Sequence, residues 1–243
     1  MLANKQFWCA LLLVFCSSAV SSYACADHLE AGLFGYVQQA NNDVNAFPQV
    51  ATVSTRYQAR NKKKTLCNRV ESSHCESATW DALLEQLRVF EGQELLEQLN
   101  TAINKFNYRT DKNNYAQDDY WATPQELIKN GGDCEDFAMA KMLALQHLGV
   151  AAQSMRIVVL QDTATAQPHA VLAVSRGQDT LILDNKTDTL FSDKQLAHYV
   201  PLYSVNEHQW WLHMPLEVAE RLFVQTASTT GSAGQISGAI VSR

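Results

Sequence analysis

Gly131-Gly-Asp-Cys-Glu-Asp-Phe-Ala-Met-Ala-Lys141 carries a chain break and the opening of a helix in eleven residues. Asn130-Gly131-Gly132 interrupts one helical pattern, and Asp133 offers a capping oxygen to the next. Phe137, Ala138, Met142, Leu145 and Leu148 then recur on one face until Gly149 ends the helix. Cys134 falls in the first turn, where unsatisfied backbone N–H groups and the helix dipole favour an anion. A thiolate is stabilised there and becomes a usable nucleophile. Asp133, Glu135 and Asp136 act in the opposite sense, because negative charge beside the sulfur raises its pKa. A cation must offset them: a histidinium at the sulfur, a metal ion among the carboxylates, or both.

Working outward from this stretch, Thr123-Pro-Gln-Glu126 places a capping hydroxyl, a proline at the first helical position and a glutamate at the third, a capping box that opens a short helix to Lys129. Between Thr79 and Phe106, Trp80, Leu83, Leu84, Leu87, Phe90, Leu95, Leu96, Leu99, Ile103 and Phe106 recur at three- and four-residue spacings, so an amphipathic helix is expected there, divided by Gly92. The Asn- and Asp-rich stretch from Asn107 to Asp119 is expected to be a loop. Residues 27–76 are mixed and polar, with a helix expected over Leu29 to Gln39 and a solvated loop at Arg60-Asn-Lys-Lys-Lys64. After Gly149 the texture changes to strands: Ser154 to Leu160, His169 to Ser175 and Thr180 to Leu183, with further short strands at Tyr203 to Val205 and Trp210 to His213. Helices followed by antiparallel strands make the class α+β.

His169 follows Pro168 at the start of one of these strands, and Asp184 ends the next. A hairpin turning at Gly177 sets the two strand ends side by side, so that the carboxylate can orient and charge-stabilise the imidazole. Cys134, His169 and Asp184, in that order and from a helix N-terminus and two antiparallel strands, form a papain-like constellation. Taken alone, Cys134 and His169 have plainer accounts, a buried inert thiol and a satisfied strand histidine, and Glu135 and Asp136 read as first-turn acids that merely complement the helix dipole.

The chain of 243 residues is 47% hydrophobic and 18% charged, which suits one globular domain. Its formal charge of −6 gives no global support to nucleic-acid binding. Lys5, the apolar run Phe7 to Phe15 and the small residues ending Ala24-Cys25-Ala26 read as a signal peptide, residues 1–26, cleaved after Ala26. An exported, soluble chain is expected. Export pairs accessible thiols, so Cys67 and Cys75 suggest a local bridge, and Cys134 remains as the odd thiol. Residues 225–243 are expected to be a disordered tail, leaving 27–76 as an N-terminal extension and 77–224 as the main domain.

Asn104-Lys-Phe-Asn107, Tyr108-Arg-Thr-Asp111, Asp119-Tyr-Trp-Ala-Thr-Pro124 and the run around Cys134 closely resemble the bacterial transglutaminase-like cysteine proteinases, in particular the LapG type of periplasmic adhesin protease. The resemblance continues through Leu148-Gly149, Met155-Arg-Ile157, His169-Ala-Val-Leu-Ala173, Leu183-Asp-Asn185 and Pro201-Leu-Tyr-Ser-Val-Asn206, and covers roughly residues 77–214. It implies a papain-like or transglutaminase-like core, with helices packed on an antiparallel sheet. It also implies Cys134 as nucleophile, His169 as general base and acid, and Asp184 as the residue that orients it.

The same resemblance implies calcium dependence, with Asp133 and Glu135 as the acidic pair. Asp136 and the Asp111 to Asp119 loop are further ligand candidates, and hard carboxylate oxygens suit Ca²⁺. The implied substrate is the N-terminal region of a large, repeat-rich surface adhesin, cut beside a di-alanine sequence to release it and promote biofilm dispersal. The implied inhibitory partner is the periplasmic domain of a LapD-like inner-membrane receptor that binds cyclic di-GMP itself. The papain-type glutamine six residues before the cysteine is replaced by Ile128, so Tyr120 and Trp121 are the candidates for a second oxyanion donor beside the Cys134 N–H. Trp121, Trp210 and Trp211 read first as packing anchors and second as docking surfaces. A transglutaminase or arylamine acetyltransferase type of acyl-transfer enzyme, and a noncatalytic calcium-binding module, are the competing readings.

Overall fold

The computed structural model describes residues 32–67 and 77–222. The expected signal peptide, the bridge to Cys75 and the tail from 225 onward lie outside the described residues. Where one amphipathic pattern divided by Gly92 was expected, two helices form: α2 (Ser77–Leu87) and α3 (Gly92–Asn104). Gly92 takes φ +58°, a left-handed value that lets the chain reverse direction between them. Trp80, Leu84 and Leu87 line the inner face of α2, and Leu95, Leu96, Leu99 and Ile103 that of α3.

The helix α5 (Pro124–Asn130) opens as its sequence dictates, with Thr123 Oγ1 accepting from the Glu126 N–H and Glu126 Oε2 accepting from the Thr123 N–H at 2.8 Å. The central helix α6 spans Cys134–His147. Its sequence suggests one buried face, yet all residues from Asp136 to Leu145 are buried. The helix lies between α3 and α5 on one side and the sheet on the other, and Ala138, Ala140 and Ala144 are small enough to admit neighbours on every side.

Among the described residues, seven strands form one wholly antiparallel sheet in the order β1-β7-β6-β2-β3-β4-β5. They are β1 (Val37–Asn41), β2 (Met155–Asp162), β3 (Gln167–Arg176), β4 (Asp179–Leu183), β5 (Phe191–Ser192), β6 (Tyr199–Val205) and β7 (Trp210–Met214). Alternation along β2 and β3 divides the apolar residues between two faces. Met155, Ile157, Ala170, Leu172 and Val174 join the main core under the helices. Val158, Leu160, Val171 and Ala173 meet Leu33, Leu196 and Tyr199 on the far side.

Two expectations fail in the N-terminal stretch. In place of a helix over Leu29 to Gln39, the described part holds a 3₁₀ turn at Leu33–Gly35 and then β1, which pairs with β7 from Val37↔Met214 to Asn41↔Trp210. The basic run from Arg60 to Lys64 belongs to the helix α1 (Gln49–Cys67) and not to a loop. That helix buries Val50, Val53 and Tyr57, one turn-spaced stripe on an otherwise polar surface. The Asn107 to Asp119 stretch is also not wholly loop, since Asp111–Asn114 forms a single turn, α4. The stretch read as an N-terminal extension thus contributes an edge strand and a stripe of the core. Among the described residues no helix is long and apolar enough to cross a membrane.

Tyr57 accepts a hydrogen bond from Trp80 Nε1 at 3.0 Å in the core. Tyr57→Phe leaves that indole N–H without its acceptor and lowers stability by about 1–3 kcal/mol. Urea denaturation reads this as a lower midpoint at constant slope; an unchanged midpoint would deny the bond any part in holding α1.

Candidate active site

The N-terminus of α6 is placed by one carboxylate. Asp136, fully buried, accepts the Ala122 N–H on Oδ1 at 2.5 Å and the Asp133 N–H on Oδ2 at 3.2 Å. Gly132 has to lack a side chain for this to happen, because a Cβ there would stand 2.2 Å from Asp136 Oδ2. The preceding residues are fixed by a short bridge, in which Arg109 N–H donates to the Gly132 carbonyl at 2.8 Å and Gly132 N–H to that of Asn107 at 3.2 Å.

Cys134 opens onto a cleft of about 820 Å³ whose walls include His169, Ala170, Tyr108, Trp121, Tyr203, Asp119 and Glu135. Its thiol donates to Glu135 Oε2 at 3.2 Å. Burial pushes the thiol pKa well up, and the charge and hydrogen bond of Glu135 and the charge of Asp133 push it further. The backbone N–H of Ala170, the residue after His169, acts on the sulfur in the lowering direction.

The hairpin between β3 and β4 turns at Gly177 and pairs Leu172 with Leu183, which brings His169 and Asp184 together. His169 Nε2 lies 2.9 Å from Asp184 Oδ1, and both side chains are almost fully buried. Asp184 also accepts from the Tyr199 hydroxyl on Oδ2 at 2.5 Å and from the Lys186 N–H on Oδ1 at 2.9 Å. Burial raises its pKa, but the bonds from His169, Tyr199 and Lys186 outweigh that and hold the carboxyl below its ordinary range. The sequence pointed to the three residues now found in and against this cleft. It gave no sign of Tyr199, which arrives from β6 on the far side of the sheet.

A second cluster, of acidic side chains, includes the neighbours of the cysteine, Asp133 and Glu135. Asp111, Asp133 and Asp136 each bring an oxygen within 4.8 Å of one another, and so do Asp111, Asp119 and Glu135. Asp133, Glu135 and Asp136 were expected from the sequence, while Asp111 and Asp119 lie in the loop that it offered as a further source. Asp111 joins the two groups. Burial is the first cause raising the pKa of Glu135 to about 9, of Asp136 to about 8 and of Asp111 to about 6, with Asp133 adding repulsion in each case. Asp111 Oδ1 and Asp133 Oδ1 are buried without a hydrogen-bond partner. Orphaned, closely spaced carboxylate oxygens are a donor set that fits a hard divalent cation.

Neither side-chain candidate for a second oxyanion donor is free. The Tyr120 hydroxyl receives Arg56 Nη2 at 2.6 Å and faces Glu126 Oε1, and Trp121 Nε1 donates to Asp119 Oδ1 at 2.9 Å.

Residues 53–217 match the family model of the bacterial transglutaminase-like cysteine proteinases. The chain belongs to this family. Membership makes it a thiol protease with a transglutaminase-like α+β core. Among solved structures, LapG from Legionella pneumophila is 29% identical, with a TM-score of 0.55 over 70% of this chain and 96% of that one. Its calcium-bound form is also 29% identical, with a TM-score of 0.54 over 68% of this chain and 98% of that chain. The EGTA-treated form is 28% identical, with a TM-score of 0.54 over 69% and 96%. No curated protein matches the chain.

Gly132→Ala forces the Asp136 carboxylate out of its place between Ala122 and Asp133. The variant is expected to lose on the order of 1–3 kcal/mol of stability, read as a lower Tm, and to react more slowly with iodoacetamide at Cys134. A variant with wild-type values of both would show that the clamp does not set the sulfur's position.

Proposed function

We propose that the chain is a calcium-dependent periplasmic cysteine endopeptidase working through Cys134, His169 and Asp184. The observation that carries this reading is the single cleft holding the first-turn thiol of α6 and the imidazole whose Nε2 is bonded to Asp184. With Nε2 engaged, Nδ1 is the nitrogen left to exchange a proton with the sulfur. His169 takes the thiol proton there, and Cys134 Sγ attacks the carbonyl carbon of the substrate. The Cys134 backbone N–H supports the oxyanion. His169 then gives the proton to the leaving amine as the C–N bond breaks, and a water attacks the thioester, returning a proton to His169 and freeing the acid. Asp184, held by Tyr199 and the Lys186 N–H, keeps the imidazole oriented and stabilises it while charged.

The residues that would hold calcium fall in two overlapping groups, Asp111 with Asp133 and Asp136, and Asp111 with Asp119 and Glu135. Bound there, the ion supplies the positive charge that offsets carboxylates crowding the thiol. A calcium-bound structure among the similar LapG proteins supports this part of the reading. The substrate we propose is the N-terminal region of a large surface adhesin, cut near a di-alanine site so that the adhesin leaves the cell, with a LapD-like cyclic di-GMP receptor holding the protease in check. Small residues at the scissile bond offer little apolar surface to grip, so discrimination has to come from close fit.

Incubation with the N-terminal segment of an exported, repeat-rich adhesin from the same genome should yield two fragments, and Cys134→Ala should yield none. Release of a free acid without added amine separates hydrolysis from acyl transfer, and a product formed only with amine would favour the transferase. Iodoacetamide at neutral pH should label Cys134 preferentially, with the preference lost in His169→Ala; equal slow labelling in both would leave a noncatalytic module. Excess EGTA should abolish cleavage and added calcium restore it, and full activity in EGTA would exclude the calcium requirement.

A further inference from the structure

Arg56 stands outside the chemistry above, on α1, in the stretch that the sequence offers only as an extension. Val53 and Tyr57 beside it are buried in the main core, which seats this part of α1 against the body of the protein. From there the guanidinium reaches one short segment, Tyr120 to Glu126. Nη1 donates to the Trp121 carbonyl at 2.8 Å, and Nη2 donates to the Tyr120 hydroxyl at 2.6 Å and pairs with Glu126 Oε2. The guanidinium carbon also lies 4.9 Å from the centre of the Tyr120 ring. A planar fork with partners on three residues fixes the orientation of that segment as a single point contact does not.

The segment so held seats the acids. Tyr120 N–H donates to Asp111 Oδ2 at 2.5 Å, Trp121 Nε1 to Asp119 Oδ1 at 2.9 Å, and Ala122 N–H to Asp136 Oδ1 at 2.5 Å. Three consecutive residues thus each engage a different member of the two overlapping acidic groups. A donor fixed to one carboxylate oxygen sets the direction of the other. Asp111 shows the consequence, since Oδ2 takes the Tyr120 N–H while Oδ1 stays buried without a partner.

We infer that Arg56 is a positioning residue for calcium: by holding Tyr120 and Trp121 in place, it keeps Asp111, Asp119 and Asp136 in the arrangement that takes the ion. The inference rests on the proposed calcium-binding role of these acids. The sign of the effect separates it from simple charge. A guanidinium repels a nearby cation, so removing its charge alone would tighten calcium binding, whereas releasing the held segment weakens it.

The test is calcium titration of the full chain by calorimetry at room temperature, after EGTA treatment and removal of the chelator, with circular dichroism to show that each variant is folded. Arg56→Met keeps an apolar stem, removes the fork, and is expected to bind calcium about 10-fold more weakly than the wild type. Arg56→Lys keeps the charge without the planar fork; it should also weaken binding, and it decides the matter if Arg56→Met does not fold. A residue that only anchored α1 would lower the thermal midpoint in EGTA and leave the calcium affinity of the folded chain unchanged. Affinity equal to or tighter than that of the wild type, in whichever of the two variants folds, would overturn the inference. Asp111→Asn is measured beside them. If it alone weakens binding, only the role of Arg56 is lost; if it binds as the wild type does, or the wild type binds no calcium, the calcium reading itself fails.

Discussion

Asp136 spends both carboxylate oxygens on backbone N–H groups, one from Ala122 and one from Asp133, and this pair of bonds clamps the first turn of α6 to the segment entering α5. Everything proposed for the site presupposes that clamp. The cysteine is two residues away on the same turn, so its sulfur can move only as far as the helix end can. The helix itself has no solvent-facing side over most of its length, which removes the freedom that a surface helix would have to rock or slide. A fixed sulfur can then be met by an imidazole delivered from β3, itself fixed by pairing with β2 and β4.

The electrostatic arrangement around the thiol is unusual for a nucleophile. Burial and the neighbouring carboxylates all disfavour a thiolate, and the helix end alone is a weak counterweight, since a helix terminus contributes only about 0.3–1 kcal/mol in ordinary settings. The acids repel one another as well: Glu135, Asp136 and Asp111 all take raised pKa values with Asp133 as a common cause. Positive charge placed among them would relieve both problems together.

Much of this was legible because it is local. The capping box at Thr123, the break at Gly131-Gly132, the apolar repeat of α2 and α3 and the reversal at Gly177 each depend on a few consecutive residues, and each forms as the sequence indicates. Cys134, His169 and Asp184 could be named because their strand and helix ends follow from those signals. What stayed hidden is non-local or diluted. Tyr199 reaches Asp184 only through sheet order, and β1 finds β7 across most of the chain. The stripe of Val50, Val53 and Tyr57 has helical spacing, but the polar residues between conceal it. Asp111 reads as one acid in a polar loop, and only the fold turns it toward Asp133 and Tyr120, whose backbone N–H it accepts.

The strand order leaves β1 and β5 at the two margins of the sheet. One is five residues of which Gln38, Gln39 and Asn41 are polar, and the other is only two residues long. Neither margin presents the long, flat, greasy ladder of open amide groups on which a second molecule could lengthen the sheet. Strand addition at these two borders therefore has little backbone to build on.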